Sequence, residues 1–210
     1  MKNLIAKIGT TRIGGSSTKP GYLYHDIPFG KFKSHRKGSA LKSKVIQSVY
    51  RVKEKRGLDI GCSVGGITFN LQLLGAKMVG IDYDGFSINF AKAVEEEEKT
   101  GAVFVFSKIN LEFFQSLDPG FYDFTIWFSQ FMWAEKQYGL KIAEKMLQIL
   151  SKKINVLFFQ TSQNDGQAKG SIKTAEDVYD LLRKNTNYSI TDLGGVKDGK
   201  YSRNIFYCKK

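Results

Sequence analysis

The chain reads as an α/β protein: a mostly parallel sheet with helices on both faces, closed by an antiparallel hairpin at its C-terminal end. Three observations predict this class. From Arg56 onward, short apolar runs alternate with segments of helical period. The runs Val103 to Phe106, Phe124 to Phe128 and Val156 to Phe159 are nearly continuous rather than alternating, as expected of parallel strands covered on both faces. Past Tyr188 the rhythm changes to strand, glycine-bearing turn, strand, with Asp198-Gly199 as the hairpin signal.

Residues 1 to 55 precede the alternation as an irregular N-terminal segment, rich in Gly, Ser and Lys, that feeds a helix at "ALKSKVIQSVYRV". The segment reads equally as a tethered tail or as a lid over a site; the interleaved Tyr22, Tyr24, His25, Phe29 and Phe32 support the lid, since a purely solvated tail would not need them. Residues 56–210 form the core. "GLDI" is a buried strand ending on a glycine turn, and "GGITFNLQLLG" puts Ile67, Leu71 and Leu74 at helical spacing before stopping on Gly75. "AKMVGID" is the next strand, and "FSINFAKAVEEEEKTG" a helix with Ile88, Ala91 and Val94 on one face. "AVFVFSKI", "FYDFTIWFS" and "INVLFFQTS" continue the strands, while "EKQYGLKIAEKMLQILSKK" and "TAEDVYDLLRKN" continue the helices.

A chain of 210 residues suits one domain with a substantial core. With 42% hydrophobic and 25% charged residues it reads as ordinary globular protein. No apolar run approaches the roughly 20 residues that cross a bilayer, and "MKNLIAKIGTTR" lacks the apolar stretch of a signal peptide, so a cytoplasmic location is expected. Cys62 and Cys208 lie far apart and neither belongs to a CxxC pair, and His25 and His35 are the only histidines, so no metal centre is expected. The net charge of +12 is spread over scattered lysines, with clusters at "GKFKSHRKGSALKSK" and "RVKEKR". It fits solubility or a general field, and leaves nucleic acid, phosphate or an anionic glycan as the alternative partners.

The densest stretch lies between Arg56 and Gly85. In an open α/β sheet the ligand sits beyond the carboxyl ends of the strands, where the first loop meets a helix N-terminus. Gly61, Gly65 and Gly66 allow a sharp turn and a close backbone approach there. Asp82 ends the second strand, from where a carboxylate can accept from both hydroxyls of a ribose. Dinucleotide-binding folds want G-x-G-x-x-G, whereas here Ser63 takes the second glycine position and the run reads D-x-G-x-x-x-G-G.

"LDIGCSVGG" followed by "VGIDYD" resembles the first two motifs of class I S-adenosylmethionine-dependent methyltransferases, over roughly Arg56 to Lys210. The resemblance implies a Rossmann-like, seven-stranded, mostly parallel sheet with S-adenosyl-L-methionine as cofactor and S-adenosyl-L-homocysteine as product. It also implies that Asp59 and the loop residues Gly61, Cys62 and Gly65 border the methionine moiety, that Asp82 holds the ribose and that Tyr83 lies against adenine. "KINL" corresponds to the segment that reaches the adenine amino group, bringing Asn110, where an aspartate is common, and Leu111; Phe128 completes the cofactor set. Upstream, "YHDIPFGKFKSHR" is similar to the N-terminal lid of bacterial methyltransferases that act on polysaccharide chain ends, and "VLFFQTSQNDG" and "SRNIFYC" fit that group's late strands. By this likeness Tyr24 and Arg36 close on the cofactor, Arg36 pairing with its carboxylate through a bidentate fork. In size the chain also resembles the methyltransferase domain of a chlorella-virus glycan-building enzyme, which would place it in a host cytoplasm.

Methyl transfer needs a nucleophile held about 3 Å from the methyl carbon and, for a hydroxyl, a group to take its proton. No N-P-P-Y or D-P-P-Y follows "FTIWFS", no Pro-Cys pair offers a ring-carbon nucleophile, and Ser129-Gln130 stand where catechol-type enzymes place a metal-binding aspartate. The Lys-Asp-Lys-Glu arrangement of ribose methylation is weakened by the same absence, which disfavours nucleic acid. Trp127, Phe128, Phe131 and Trp133 are aromatic instead, and aromatic faces suit sugar rings. Trp127 and Phe128 read as core strand residues, leaving Phe131 and Trp133 as acceptor candidates. His25 and Asp26 are the first choice of proton acceptor, with Asp165 second. The resulting expectation is O-methylation of a small hydroxylated acceptor, a sugar such as rhamnose at a glycan end. The rivals are an RNA or protein methyltransferase using the basic surface, and a non-catalytic module that kept the cofactor fold. The sequence fixes no oligomeric state.

Overall fold

A computed structural model describes residues 22–30, 32–163, 171–198 and 201–210. The chain divides into two compact units, residues 1–107 and 108–210. The first holds β1 (Tyr22–His25), β2 (Lys33–Arg36), α1 (Ser39–Val49), β3 (Arg56–Ile60), α2 (Gly66–Leu73), β4 (Lys77–Asp82), α3 (Gly85–Glu98) and β5 (Val103–Phe106). The second holds α4 (Leu111–Ser116), β6 (Phe124–Phe128), α5 (Phe131–Tyr138), α6 (Leu140–Lys153), β7 (Val156–Gln160), α7 (Ala175–Asn185), β8 (Ser189–Asp198) and β9 (Tyr201–Lys209). The seven-stranded sheet has the order β5-β4-β3-β6-β7-β9-β8. β3, β4 and β5 pair in parallel, as do β6 and β7, while β9 runs antiparallel to both β7 and β8. This is the expected α/β architecture with its terminal hairpin. Among the described residues no helix is long and apolar enough to cross a membrane.

In the first unit the core gathers on Phe69. Its ring meets Phe104 of β5 at 4.9 Å and Phe29 at 5.1 Å between centroids, the latter edge-on. Phe32 meets Phe90 of α3 in the same edge-on manner at 5.2 Å, and Leu23 is buried in the same cluster. The irregular segment expected before the helix is therefore corrected over its described part. Residues 22–25 and 33–36 form a short parallel pair, with His25 opposite Arg36, and the aromatic residues between them are pegs in the core. The register of α2 differs too. Its buried positions are Gly66, Thr68, Phe69 and Leu71, while Leu74 is 41% exposed, because seating Phe69 between two aromatic rings turns the helix away from the Ile67/Leu74 stripe.

β5 departs from the continuous burial expected of it. Only Phe104 is buried, and Val103, Val105 and Phe106 are exposed, because β5 is an edge strand. β6 and β7 are buried along their whole length, as predicted.

In the second unit Trp127 is fully buried in an aromatic cluster with Phe114, Phe131 and Phe159. The single long helix expected from Glu135 to Lys153 is two helices. Gly139, at φ +85°, ends α5 and starts α6, and α5 itself begins upstream at Phe131. α7 opens on a capping box in which the Thr174 hydroxyl accepts from the Asp177 N–H at 3.0 Å and Asp177 Oδ2 accepts from the Thr174 N–H at 2.8 Å. The hairpin pairs Ser189 with Lys209 through to Asp198 with Tyr201; Gly199 lies outside the described residues.

Because Phe69 joins the lid, α2 and β5, Phe69→Ala is expected to lower the unfolding free energy by about 3–5 kcal/mol, read by urea denaturation. A change under about 1 kcal/mol would show that the three elements do not share one core.

Candidate cofactor site

The glycine turn is folded by backbone hydrogen bonds onto the end of β4. The Gly61 and Cys62 N–H groups both donate to the Ile81 carbonyl, at 2.8 and 2.9 Å. Ser63 then takes a left-handed backbone, φ +51°, which points its N–H at Asp82 Oδ2, 2.8 Å away. The other Asp82 oxygen accepts from the Asp84 N–H at 2.9 Å. One buried carboxylate thus ties the loop after β3 to the turn after β4. A carboxylate has about four acceptor positions, so capacity remains for further donors. Asp84 in turn caps α3, accepting from the Phe86 N–H and the Ser87 hydroxyl.

Two glycines allow this packing. At Gly65, φ is +83° and an added Cβ would stand 2.7 Å from the Phe104 ring. At Gly66 it would stand 2.2 Å from the Asp26 carbonyl oxygen and 2.5 Å from Ser39 Oγ, so the lid backbone passes directly over the first residue of α2. The lid residues gather there. The Arg36 guanidinium, largely buried, lies over the Tyr24 ring at 4.7 Å, and the His25 ring meets Tyr24 edge-on at 4.6 Å. The Asp26 N–H donates to the Arg36 carbonyl at 2.9 Å, and Asp26 Oδ1 accepts from the Ser39 N–H at 3.0 Å, fastening the lid to the first turn of α1.

The residues fit a nucleoside. The buried Asp82 carboxylate is followed by Tyr83, 55% exposed, and pairs across the sheet with Phe106, 58% exposed. An anionic acceptor beside open aromatic surface offers a partner for sugar hydroxyls and a face for a base.

The model of the tellurite resistance protein TehB family matches residues 30–164, more than half of the chain. The chain belongs to the TehB family. The TehB-family chain is also 25% identical over 134 residues to the O-antigen chain terminator bifunctional methyltransferase/kinase WbdD of Escherichia coli, a match covering 63% of this chain and 19% of WbdD. A crystal structure of WbdD superposes with a TM-score of 0.76 at 20% identity, covering 99% of this chain and 47% of that one. Magnesium protoporphyrin IX methyltransferase from Synechocystis PCC 6803 with bound SAM superposes with a TM-score of 0.62 at 17% identity, covering 82% of this chain and 80% of that one. The chain spans about a fifth of the length of its curated relative. Its fold is that of the S-adenosylmethionine-dependent methyltransferases, as the glycine loop leads one to expect.

Electrostatics sharpen the loop. Asp59 lies buried beneath it and accepts from Thr68 Oγ1 at 2.7 Å. Burial pushes its carboxyl up to about 7, the Asp82 charge adds to the rise, and the Thr68 hydroxyl opposes it. Burial also raises Asp82, against the backbone N–H groups of Asp84 and Ser63. The Cys62 thiol, donating to the Ser63 carbonyl at 3.6 Å, is raised by burial and then by Asp59 and Asp82. A thiol so held is a packing group rather than a nucleophile.

Other expected residues fall in the second unit of the TehB-family chain. Asn110 caps α4, accepting from the Phe113 N–H at 3.0 Å, with Leu111 as the first helical residue. Phe128 ends β6 and is buried. Phe131, considered for the acceptor, is corrected to core: it is fully buried against Trp127 and Phe159. Trp133 is 45% exposed with the Lys136 ammonium 5.1 Å above its ring. Asp165 lies outside the described residues. The sequence does not single out Thr68, and it marks Ser63 only as the residue at the second glycine position, not as a donor to Asp82. Thr68 is legible in hindsight as a hydroxyl one turn into the helix, whereas a non-glycine left-handed residue leaves no compositional trace.

Asp59 gives a pH prediction. Its folded-state value, about 7, lies above its unfolded value, 3.8, so its contribution to stability is fully present below about pH 4 and is lost as pH rises to about 7. Asp59→Asn should remove that loss. Urea unfolding should show the variant gaining on wild type between pH 4 and 7, by an amount of order a few kcal/mol, with a plateau above. A difference constant with pH would mean that Asp59 is ionised throughout.

Proposed function

We propose that the chain is an S-adenosyl-L-methionine-dependent O-methyltransferase acting on a hydroxyl of a sugar at a glycan end. The observation that carries this reading is the extent of the likeness to WbdD. That protein is described as an O-antigen chain terminator, and the structural match covers 99% of this chain, the lid included. When bound, S-adenosyl-L-methionine supplies a methyl carbon made electrophilic by its sulfonium.

The chain's own residues bind, orient and take a proton. Asp82 accepts the ribose hydroxyls while continuing to hold Ser63, so cofactor binding and loop geometry depend on one carboxylate. Tyr83 lies against the base. Asp59, Gly61, Cys62 and Gly65 border the amino-acid end, and the Arg36 fork meets its carboxylate from the lid. Tyr24, stacked on Arg36, limits how far that guanidinium can swing. His25 takes the proton of the acceptor hydroxyl, since imidazole titrates near neutrality. Asp26 is a positioning residue, because its carboxylate already holds the Ser39 N–H and keeps the lid seated on α1. Trp133 presents open aromatic surface of the kind on which the C–H face of a sugar packs.

The reading is tested by incubating the protein with labelled methyl donor and a panel of deoxysugar glycosides, RNA and peptides. Label in glycosides is the expected result, and label confined to RNA or peptide would overturn the sugar assignment. Asp82→Ala should weaken S-adenosyl-L-homocysteine binding by about a hundredfold in calorimetry, equivalent to about 3 kcal/mol; unchanged affinity would contradict the ribose assignment. His25→Ala should lower turnover by about a hundredfold with cofactor binding retained, and should remove the acidic limb of the pH-rate profile. Unaltered turnover would exclude His25 as the proton acceptor.

A further inference from the structure

The second unit carries a buried polar cluster that neither its core packing nor the cofactor assignment uses. Ser129, directly after β6, has a left-handed backbone, φ +59°, and its N–H donates to the Gln160 carbonyl at 2.7 Å. Its hydroxyl accepts from Arg203 Nη1 at 2.7 Å, and Arg203 is 5% exposed. Gln160, at the end of β7, donates from Nε2 to the Arg203 carbonyl at 3.0 Å. Gln163 holds the next residue of β9 on both sides, accepting from the Asn204 N–H at 2.8 Å and donating to the Asn204 carbonyl at 3.4 Å. Ser162 lies between these two glutamines in sequence, and both of them are bonded to β9.

Within this cluster Gln160 Oε1 and Ser162 Oγ are buried, each on a side chain 1% exposed, and neither finds a hydrogen-bond partner among the described residues. Unfilled buried acceptors and a strained non-glycine backbone both cost stability, and such costs concentrate where a ligand makes them good. The place is also the one where open α/β sheets bind ligands, beyond the carboxyl ends of the parallel strands β6 and β7.

We propose that Ser129, Gln160, Ser162 and Arg203 form an acceptor-binding site for a polyhydroxylated ligand, a sugar ring with adjacent free hydroxyls. The chemistry chooses the class. The Gln160 amide is oriented by its Nε2 bond to the Arg203 carbonyl, so the vacant Oε1 requires a ligand that donates a proton. The Ser162 hydroxyl can donate or accept. A sugar diol satisfies both. A bare oxyanion has no hydrogen for Gln160 Oε1 and would be repelled by it. The occupant's role as methyl acceptor rests on the methyltransferase reading; the site's ligand class does not.

The test uses ¹⁵N-labelled full chain saturated with S-adenosyl-L-homocysteine, titrated separately with methyl α-L-rhamnoside, methyl α-D-mannoside and inorganic phosphate, following the Gln160 side-chain amide and Arg203 Nε–H resonances. At least one glycoside is expected to shift both signals. Ser162→Ala and Gln160→Leu should each weaken that glycoside about tenfold or more. Ser162→Ala removes only an unpaired hydroxyl, so its melting temperature should not fall, and loss of sugar affinity without loss of stability separates a binding role from a structural one. Signals unmoved by either glycoside, signals moved by phosphate alone, or variants that bind as wild type would each overturn the proposal. Failure of wild type to bind S-adenosyl-L-homocysteine would instead refute the methyltransferase reading, and the same glycoside titration of the cofactor-free chain would still decide this site.

Discussion

The Asp82 carboxylate is the constraint on which the first unit is organised. It is almost wholly buried, and backbone donors from two turns hold it in place. Those donors are supplied by two different turns, and meeting them obliges Ser63 to take a left-handed backbone and the glycine loop to lie across the end of β4. Asp59 is buried beneath the same loop, and desolvation, with the nearby Asp82 charge adding to it, raises the Asp59 carboxyl toward neutrality. A loop built on two buried acids is held ready for a ligand that brings hydroxyl or ammonium hydrogens.

The lid is part of this organisation rather than an appendage. Phe29 and Phe32 are seated in the core that also holds Phe69, Phe90 and Phe104, and the absence of a side chain at Gly66 lets the Asp26 carbonyl sit on the first turn of α2. Residues 22–36 therefore fold with the glycine loop, and Arg36 and Tyr24 are presented together. A guanidinium placed over a phenol ring is conformationally restricted before any ligand arrives, which lowers the entropy cost of any contact it makes.

The order of strands from Arg56 onward, the terminal hairpin and the loop with its acid were legible because they are written in patterns of short range: apolar run, glycine turn, carboxylate one strand later; the short helix Leu111–Ser116 and the break at Gly139 were not. What was not legible depended on partners far along the chain. The burial of α2 follows Phe69, whose neighbours come from the lid and from β5, so periodicity within the helix could not set its face. The exposure of Val103, Val105 and Phe106 follows from the position of β5 at the edge of the sheet, which no local pattern encodes. Phe131 looked like ligand-facing aromatic surface because it follows a strand, yet it starts a helix whose first residue closes the cluster around Trp127. The polar group around Arg203 was invisible for the same reason, since Ser129, Gln160 and Arg203 are brought together only by strand order.

The most direct measurement is a crystal structure of the protein grown with S-adenosyl-L-homocysteine. The account predicts ribose hydroxyls within hydrogen-bond distance of Asp82, adenine against Tyr83, and Ser63 still donating to the same carboxylate. A cleft occupied by a different nucleotide, or homocysteine and ribose bound with Asp82 disengaged from both, would contradict it.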